Sequence, residues 1–267
     1  AGMKYVIIGS SAAGINGARE LRRLDKDSRI VLVSKDRAVY SRCILHHYLA
    51  GKRSLKELSF AEPDFAERFG VEWVKGRSCV KVNAKEKEIV LDNGEKIAYD
   101  KLLLASGSHT FLPPVPGLLQ AAEGGKVCGF RNIEDMEKLK EAVQNASHSA
   151  PNIVVMGAGL VGLDCAVGFL DLGVKVSLVE TADWLLNRQL DKKAAKVYED
   201  ALENAGVRQY YGVGIKEVLL EKEHQIQGLK LSDGREIPCD YLVVTAGVRP
   251  NIEYLEGSGI AVDDHGL

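Results

Sequence analysis

The chain has 267 residues, of which 46% are apolar and 27% charged, the balance of a globular protein large enough for one big domain or two ordinary ones. Its net charge of -2 supplies no general attraction to nucleic acid or to an anionic membrane, and no apolar run approaches the ~20 residues of a membrane-spanning helix. Five cysteines, odd in number, widely spaced and without a C-x-x-C pair, argue against a disulfide framework or a structural zinc; they suit a reducing, cytoplasmic setting, and no metal site is expected. Ala1-Gly2-Met3 leads directly into a strand pattern, so no signal peptide is expected.

Tyr5-Val6-Ile7-Ile8 is a short buried-strand run. Gly9-Ser10-Ser11-Ala12-Ala13-Gly14 follows, then a helix with apolar residues at Ile15, Ala18 and Leu21 that ends near Asp25. Ile30-Val31-Leu32-Val33 closes a β-α-β unit. Arg19, Arg22 and Arg23 read as a solvated helix face rather than a binding patch. Next comes YSRCILHHYLAG (40–51), which sets Cys43 beside Arg42 and ahead of a helix that Gly51 stops. Asp92-Asn93-Gly94 marks a hairpin turn. Residues 111–117, FLPPVPG, form a stiff extended crossover, and Glu134 and Asp135 suit the first turn of a helix reaching about Val143.

After 147–151 the pattern starts again. Ile153-Val154-Val155-Met156 leads into Gly157-Ala158-Gly159-Leu160-Val161-Gly162, a helix to about Leu172 with Gly173 as its cap, and a strand from Val176 to Glu180. A helix after Asp191 places Ala194, Val197, Tyr198, Ala201, Leu202 and Ala205 on one side, with Gly206 as its stop. The segment DNGEKIAYDKLLLASGS (92–108) aligns without gaps on SDGREIPCDYLVVTAGV (232–248), sharing Gly94/Gly234, Ile97/Ile237, Asp100/Asp240, Leu102/Leu242 and Gly107/Gly247. The expected fold is therefore α/β: two duplicated Rossmann-like dinucleotide-binding domains, each a parallel sheet with helices plus a β-hairpin or meander.

The glycine loops carry the chemistry. A pyrophosphate must approach backbone closely, which glycine permits, and a helix N-terminus offers it unpaired N–H groups and a positive dipole end. Gly157-x-Gly159-x-x-Gly162 meets that pattern, and Glu180, 23 residues after Gly157 at a strand end, is placed to accept from ribose hydroxyls. A carboxylate there favours NADH over NADPH by repelling a 2′-phosphate; the plain alternative is a polar strand terminus. The first loop, Gly9-x-Ser11-x-x-Gly14, has serine at the middle glycine, a small residue whose hydroxyl can itself meet a phosphate. Its strand ends at Ser34-Lys35-Asp36, so ribose contact falls to Ser34 or, less directly, Asp36. Gly107 and Gly247 either let backbone pass close to a ligand or make plain strand-to-loop turns. Trp73 and Trp184 read as packing residues.

Several segments together resemble the FAD-dependent pyridine nucleotide-disulfide oxidoreductases: VIIGSSAAG (6–14), YSRCILHHYLAG (40–51), LLLASGS (102–108), PPVPGL (113–118), FRNIEDMEKL (130–139), VVMGAGLVGLDCA (154–166), RQLDKKAA (188–195) and VTAGVRPN (244–251). The resemblance is strongest to the branch of NADH:rubredoxin reductases, the diaphorase part of nitrite reductases, and NADH oxidases. It implies an FAD-binding domain over 1–112, an NAD-binding domain over 113–241, and an incomplete return to the first over 242–267. It further implies that Gly9, Ser11 and Gly14 hold the FAD pyrophosphate. Ser34 and Lys35 would lie near the adenosine and Val80 at the adenine; Arg42, Ser106, Gly107 and Arg131 would line the flavin half. Gly157, Gly159, Gly162 and Glu180 would hold NADH, with Gly247 near the nicotinamide. Asp164 stands where the family usually has glutamate. The family pattern continues past Leu267 into a further segment and an interface domain, so a longer parent, and for that parent a homodimer, is expected.

The resemblance implies a flavoenzyme passing hydride from NADH to flavin and electrons on to a rubredoxin-like protein, an attached redox centre or a small molecule. A second reading makes Cys43 a redox thiol in an NADH oxidase, a peroxidase or a coenzyme A-disulfide reductase. A third is a nucleotide-binding module without turnover. On a continuous helix only positions three and four residues on share a face, which leaves His46 and His47 as partners for Cys43; both also suit surface or packing roles.

Overall fold

A computed structural model describes residues 2–146 and 150–266; part of the expected 147–151 linker lies outside them. The chain forms two compact units: Ala1–Ser41, Leu55–His109 and Arg249–Leu267 make the first, and Arg42–Ser54 with Thr110–Val248 make the second. No helix among the described residues is long and apolar enough to cross a membrane.

The first half runs β1 (Lys4–Ile8), α1 (Ala12–Leu24), β2 (Arg29–Ser34), α2 (Leu45–Leu49), α3 (Phe65–Arg68), β3 (Val71–Lys75), β4 (Cys79–Asn83), β5 (Glu88–Leu91), β6 (Lys96–Ala98), β7 (Lys101–Leu104) and β8 (Ser108–Thr110). All of these but α2 and the end of β8 belong to the first unit. Its main sheet has the order β3-β2-β1-β7, with all pairs parallel. Val6, Ile7 and Leu32 are wholly buried, as expected of parallel strands covered on both faces. Helix α1 buries Gly14, Ile15 and Ala18 against one face, with Phe65 and Val39 completing that core. The antiparallel meander β4-β5-β6 turns at Asp92-Asn93-Gly94 and covers the other face through Val82, Ile89 and Leu91, joined by Tyr254 and Leu255.

The second half continues α4 (Leu118–Glu123), β9 (Val127–Cys128), α5 (Ile133–Gln144), β10 (Ile153–Met156), α6 (Leu160–Asp171), β11 (Val176–Glu180), α7 (Lys192–Asn204), β12 (Arg208–Tyr211), β13 (Ile215–Leu220), β14 (Ile226–Leu231), β15 (Glu236–Ile237), β16 (Tyr241–Val244) and β17 (Val248–Pro250). Its sheet has the order β12-β11-β10-β16-β9, again parallel. A second antiparallel meander, β13-β14-β15, turns at Ser232-Asp233-Gly234 and packs Val218, Leu229 and Leu231 onto it. Asn132 and Asp191 cap α5 and α7, their side chains accepting from Asp135 N and Ala194 N, so both helices begin where a short polar side chain meets the unpaired first-turn N–H groups.

Three expectations are corrected. The chain returns to the first unit at Arg249, not at 242, because β16 pairs with β10 and β9 inside the second sheet. Arg42–Ser54 belongs to the second unit, since α2 rests on α6 at Gly168. Leu172 is the cap of α6, and Gly173 is the next residue, taking the left-handed φ of 70° that favours glycine there.

Candidate functional site

The two parallel sheets end in matching corners. In the first unit Gly9 N donates to Val33 O (2.9 Å) and Ala105 N to Ile8 O (2.8 Å); in the second, Gly157 N donates to Val179 O (2.8 Å) and Thr245 N to Met156 O (2.9 Å). Each loop therefore leaves the carboxyl end of its central strand between the two flanking strands, where open α/β sheets place ligands. The first glycine of each loop has positive φ, 109° at Gly9 and 111° at Gly157. The third packs on the first: a Cβ on Gly14 would lie 1.8 Å from Gly9 O, and one on Gly162 would lie 2.0 Å from Gly157 O. Neither position admits a side chain, so the first turns of α1 and α6 are pinned to their strands. The caps, Ser11 and Gly159, make no side-chain cap bond, and the first-turn N–H groups behind them have no intrahelical acceptor.

Each corner opens into a cleft. The second has a volume of about 630 Å³ and is lined by Gly157, Gly159, Glu180, Arg188, Thr245 and Gly247 among others. A Cβ on Gly159 would meet nothing within 4 Å, so the protein's own packing does not require glycine there and the space belongs to the cleft. Glu180 ends β11 and turns back over the loop: Oε1 accepts from Ala158 N at 3.2 Å, and Oε2 accepts from Ala182 N at 3.0 Å and Thr181 Oγ1 at 3.3 Å. A carboxylate has about four acceptor positions, so Glu180 orders the glycine loop and keeps capacity for a hydroxyl. Thr245 Oγ1 donates toward the carbonyls of Met156 (3.0 Å) and Gly157 (3.2 Å), a bond that Ala105, its counterpart in the first unit, cannot make.

The first cleft, about 420 Å³, is lined by Gly9, Lys35, Arg77, Cys79, Val80, Ser106, Asn251 and Tyr254, among others. Ser34 is buried at 2% exposure, and its hydroxyl donates to Asp36 O (2.6 Å) and accepts from Trp73 Nε1 (2.8 Å). That hydroxyl is committed within the protein, which leaves Lys35 as the member of the pair that lines the cleft. Ser106 and Asn251 clasp each other: Ser106 Oγ donates to Asn251 O (2.9 Å), Asn251 Nδ2 donates to Ser106 O (2.8 Å), and the Tyr254 hydroxyl lies 2.6 Å from Ser106 Oγ. Gly107 and Gly247 take φ of 65° and 155°, and a Cβ on either would meet nothing, so backbone conformation rather than close packing selects glycine at both. Burial raises the Cys79 thiol to about 11.

Arg42 and Arg131 come together in the second unit, where Arg42 Nη1 donates to Arg131 O at 2.5 Å. Arg131 N donates to Asp135 Oδ2 (2.9 Å). Burial, then the Arg42 charge, pulls Arg131 below the usual guanidinium range. Cys43 is exposed, whereas Cys128, Cys165 and Cys239 are buried and pushed up by burial, Cys128 to about 12. The helical argument linking Cys43 to His46 and His47 fails. Arg42–Ile44 is a single 3-10 turn, and Ile44, at φ −127° and ψ 23°, breaks it from α2. His46 instead faces Asp164 on α6, Nδ1 to Oδ2 3.8 Å.

Sequence reasoning does not single out Asn251, Tyr254, Thr245 or Arg77, which line the clefts, nor the approach of His46 to Asp164. The gap-free internal alignment held one usable signal, the Ala105/Thr245 mismatch at otherwise matched strand ends. The others meet residues far away in sequence, as Ser106 and Tyr254 do across 148 positions.

Two Rossmann-type corners, each pairing a close glycine loop with its own cleft, define a protein built for two dinucleotides. The chain belongs to the pyridine nucleotide-disulphide oxidoreductase family, whose sequence profile matches residues 3–267. It is 30% identical over 269 residues to the assimilatory nitrate reductase electron transfer subunit of Bacillus subtilis, covering 97% of this chain and 33% of that protein. It is 29% identical to the rubredoxin-NAD(+) reductase of Alcanivorax borkumensis, covering 96% and 65%. The fold superposes on reduced Bacillus anthracis CoADR-RHD with a TM-score of 0.87 at 26% identity, covering all of this chain and 47% of that one. On the putidaredoxin reductase–putidaredoxin complex the values are 0.86 and 25%, covering 98% and 63%. The chain thus spans about a third of the length of the nitrate and nitrite reductase relatives.

Proposed function

We propose that the protein is the diaphorase portion of an FAD-dependent NADH:acceptor oxidoreductase, with FAD in the first cleft and NADH in the second. The observation that carries this reading is the doubled corner: in each unit the third glycine seats on the carbonyl of the first, which presents a helix N-terminus to a dianion. FAD, when bound, supplies the redox chemistry, accepting hydride and releasing electrons to an acceptor. The chain's own residues bind and orient. Gly9, Ser11 and Gly14 offer backbone to one pyrophosphate, and Lys35 and Val80 line the cleft toward the adenosine. Ser106, fixed by the Asn251 clasp, lines the same cleft, and Gly107 follows it with its carbonyl accepting from Asn251 N. Arg42 and Arg131 place positive charge in the segment that the family resemblance gives to the flavin half. Gly157, Gly159 and Gly162 receive the second pyrophosphate, Glu180 meets its ribose, and Gly247 keeps backbone open toward the nicotinamide. A rubredoxin- or putidaredoxin-like protein, or a centre attached to a longer chain, is the acceptor class that the relatives suggest.

The test is anaerobic addition of NADH to FAD-reconstituted protein. Bleaching of the flavin absorbance is expected; a flavin that binds and stays oxidised overturns the reading and leaves a nucleotide-binding module. The exposure of Cys43 favours a second reading, in which its thiol takes part in reduction of peroxide, oxygen or a small disulfide. Iodoacetamide labelling of Cys43 that requires prior NADH reduction is the result expected of that reading; equal labelling before and after excludes it.

A further inference from the structure

Helix α2 has five residues and is clamped on two sides. Toward α6, a Cβ on Gly168 would meet Leu49 Cδ2 at 3.2 Å and the His46 carbonyl at 3.4 Å, so the two helices touch where a side chain is missing. Just past α2, Lys52 Nζ lies 2.6 Å from Asp171 Oδ2. Toward α5, the Tyr48 hydroxyl donates to Glu137 Oε1, and Lys140 Nζ stands 3.6 Å from the centre of the Tyr48 ring. His46 sits between these clamps with its side chain 16% exposed. Its Nδ1 is buried without a hydrogen-bond partner, and Asp164 Oδ2 is 3.8 Å away, too far for a hydrogen bond. Buried polar atoms normally find partners. This one is held just short of a carboxylate, where the segment that follows the Arg42–Cys43 turn packs on α6.

We propose that His46 is a proton-operated release for α2, and that Asp164 sets the pH at which it acts. With a neutral ring, α2 packs on α6 and holds Arg42 against the Arg131 carbonyl. A proton taken up from solvent puts a charge on a ring with little water around it, and the arrangement in which α2 lifts and the ring is hydrated becomes favoured. The groups facing the ring divide. Asp164 and Asp171, from α6, favour its charge, while His47 and Lys52, from its own segment, oppose it. Glu137 and Lys140, from α5, engage Tyr48 instead. Burial outweighs the carboxylates and holds His46 below the usual imidazole value. The sign follows: the packed state is favoured in full above the ordinary imidazole pKa of about 6.5 and loses that advantage as pH falls below it. Burial also holds Asp164 above the usual carboxylate range, so proton uptake there works in the opposite direction and bounds the window from below.

The experiment is amide hydrogen exchange of the Arg42–Ser54 segment from pH 8 to pH 5, corrected for intrinsic exchange, alongside the His46 ring titration by NMR. Protection of this segment is expected to fall further than that of the β10 strand as pH drops below about 6.5, and to lose its pH dependence in His46→Gln. Asp164→Asn should lower the His46 midpoint by about one pH unit, as loss of a nearby opposite charge does. An unchanged midpoint in Asp164→Asn, or a Arg42–Ser54 segment that tracks β10 at every pH, overturns the proposal. If His46→Gln does not fold, the native protein and Asp164→Asn still decide. Neither readout uses turnover, so failure here leaves the flavoenzyme reading standing, and failure of that reading leaves this one.

Discussion

Gly162→Ala tests the second corner most directly. The added Cβ would start 2.0 Å from Gly157 O and 3.0 Å from Thr245 Oγ1. Both neighbours are fixed, the carbonyl by the loop and the hydroxyl by its bonds to Met156 O and Gly157 O. The start of α6 must therefore retreat by more than 1 Å. The folding cost is that of an overpacked core, about 1–3 kcal/mol. The binding cost is larger in effect, because the first-turn N–H groups withdraw from the pyrophosphate. Losing the equivalent of one or two hydrogen bonds to a charged group, at about 1.5–3 kcal/mol each, weakens NADH by roughly one to four decades at 1.4 kcal/mol per decade. Titration calorimetry with NADH measures this directly. Gly14→Ala, whose Cβ would meet Gly9 O at 1.8 Å, is the control and should abolish FAD retention while sparing the second corner's geometry. A folded Gly162→Ala protein, intact by circular dichroism, that binds NADH within threefold of the parent refutes the reasoning.

Three further outcomes follow from the same geometry. Glu180→Gln keeps one acceptor oxygen but turns the other toward Ala182 N or Ala158 N as a donor; NADH affinity should drop about tenfold, the worth of one hydrogen bond near 1.4 kcal/mol, and the preference over NADPH should shrink, whereas an unchanged NADH/NADPH ratio removes the role assigned to this carboxylate. Ser106→Ala deletes the donor to Asn251 O and the contact with the Tyr254 hydroxyl, so a loss of about 1–2 kcal/mol is expected for these part-buried bonds, visible as a lower Tm; an equal Tm means that the clasp carries no stability. At pH 8, iodoacetamide with peptide mapping should modify Cys43 and spare Cys79, whose thiol, raised to about 11 by burial, is neutral below that pH and reacts only as a thiolate; rapid modification of Cys79 contradicts its burial.

The repeated frame was legible because it rests on short-range signals. Strands covered on both faces show as unbroken apolar runs, hairpins as Asn-Gly and Asp-Gly turns, and glycine loops as fixed spacings. Strands β10 and β11 fall where the apolar runs put them, Ile153–Met156 and Val176–Glu180. What escaped depends on partners remote in sequence. Pairing Cys43 with His46 and His47 assumes a continuous helix through YSRCILHHYLAG, yet contacts to α5 and α6 decide the path of that segment and Ile44 breaks it. Ser34 reads as available for a ribose because its side-chain partners do not show in a strand pattern; its hydroxyl donates to Asp36 O and accepts from Trp73, 39 positions away. The sequence puts the return crossing at 242 rather than at Arg249 for the same reason, since strand β16 is recognisable from its own residues but its sheet partners are not.

The duplication explains the architecture, and the differences between copies explain how one frame can serve two ligands. The matched strand ends carry Ser34-Lys35 in one unit and Glu180-Thr181 in the other. In the first, the hydroxyl is tied up inside the protein and a cation lines the cleft beside Arg77; in the second, a carboxylate reaches back over the loop. Neither corner needs the other's device to fold, because in both the third glycine and the strand register do the same structural task. The strand-end residue is thus released from the fold and can be chosen by the ligand. A carboxylate rewards ribose hydroxyls and rejects a phosphate, which suits a coenzyme that must be selected from a mixed pool at every turnover. A cofactor that is loaded once is under no such demand, and the matching strand of the first unit ends on a serine whose hydroxyl is engaged inside the protein.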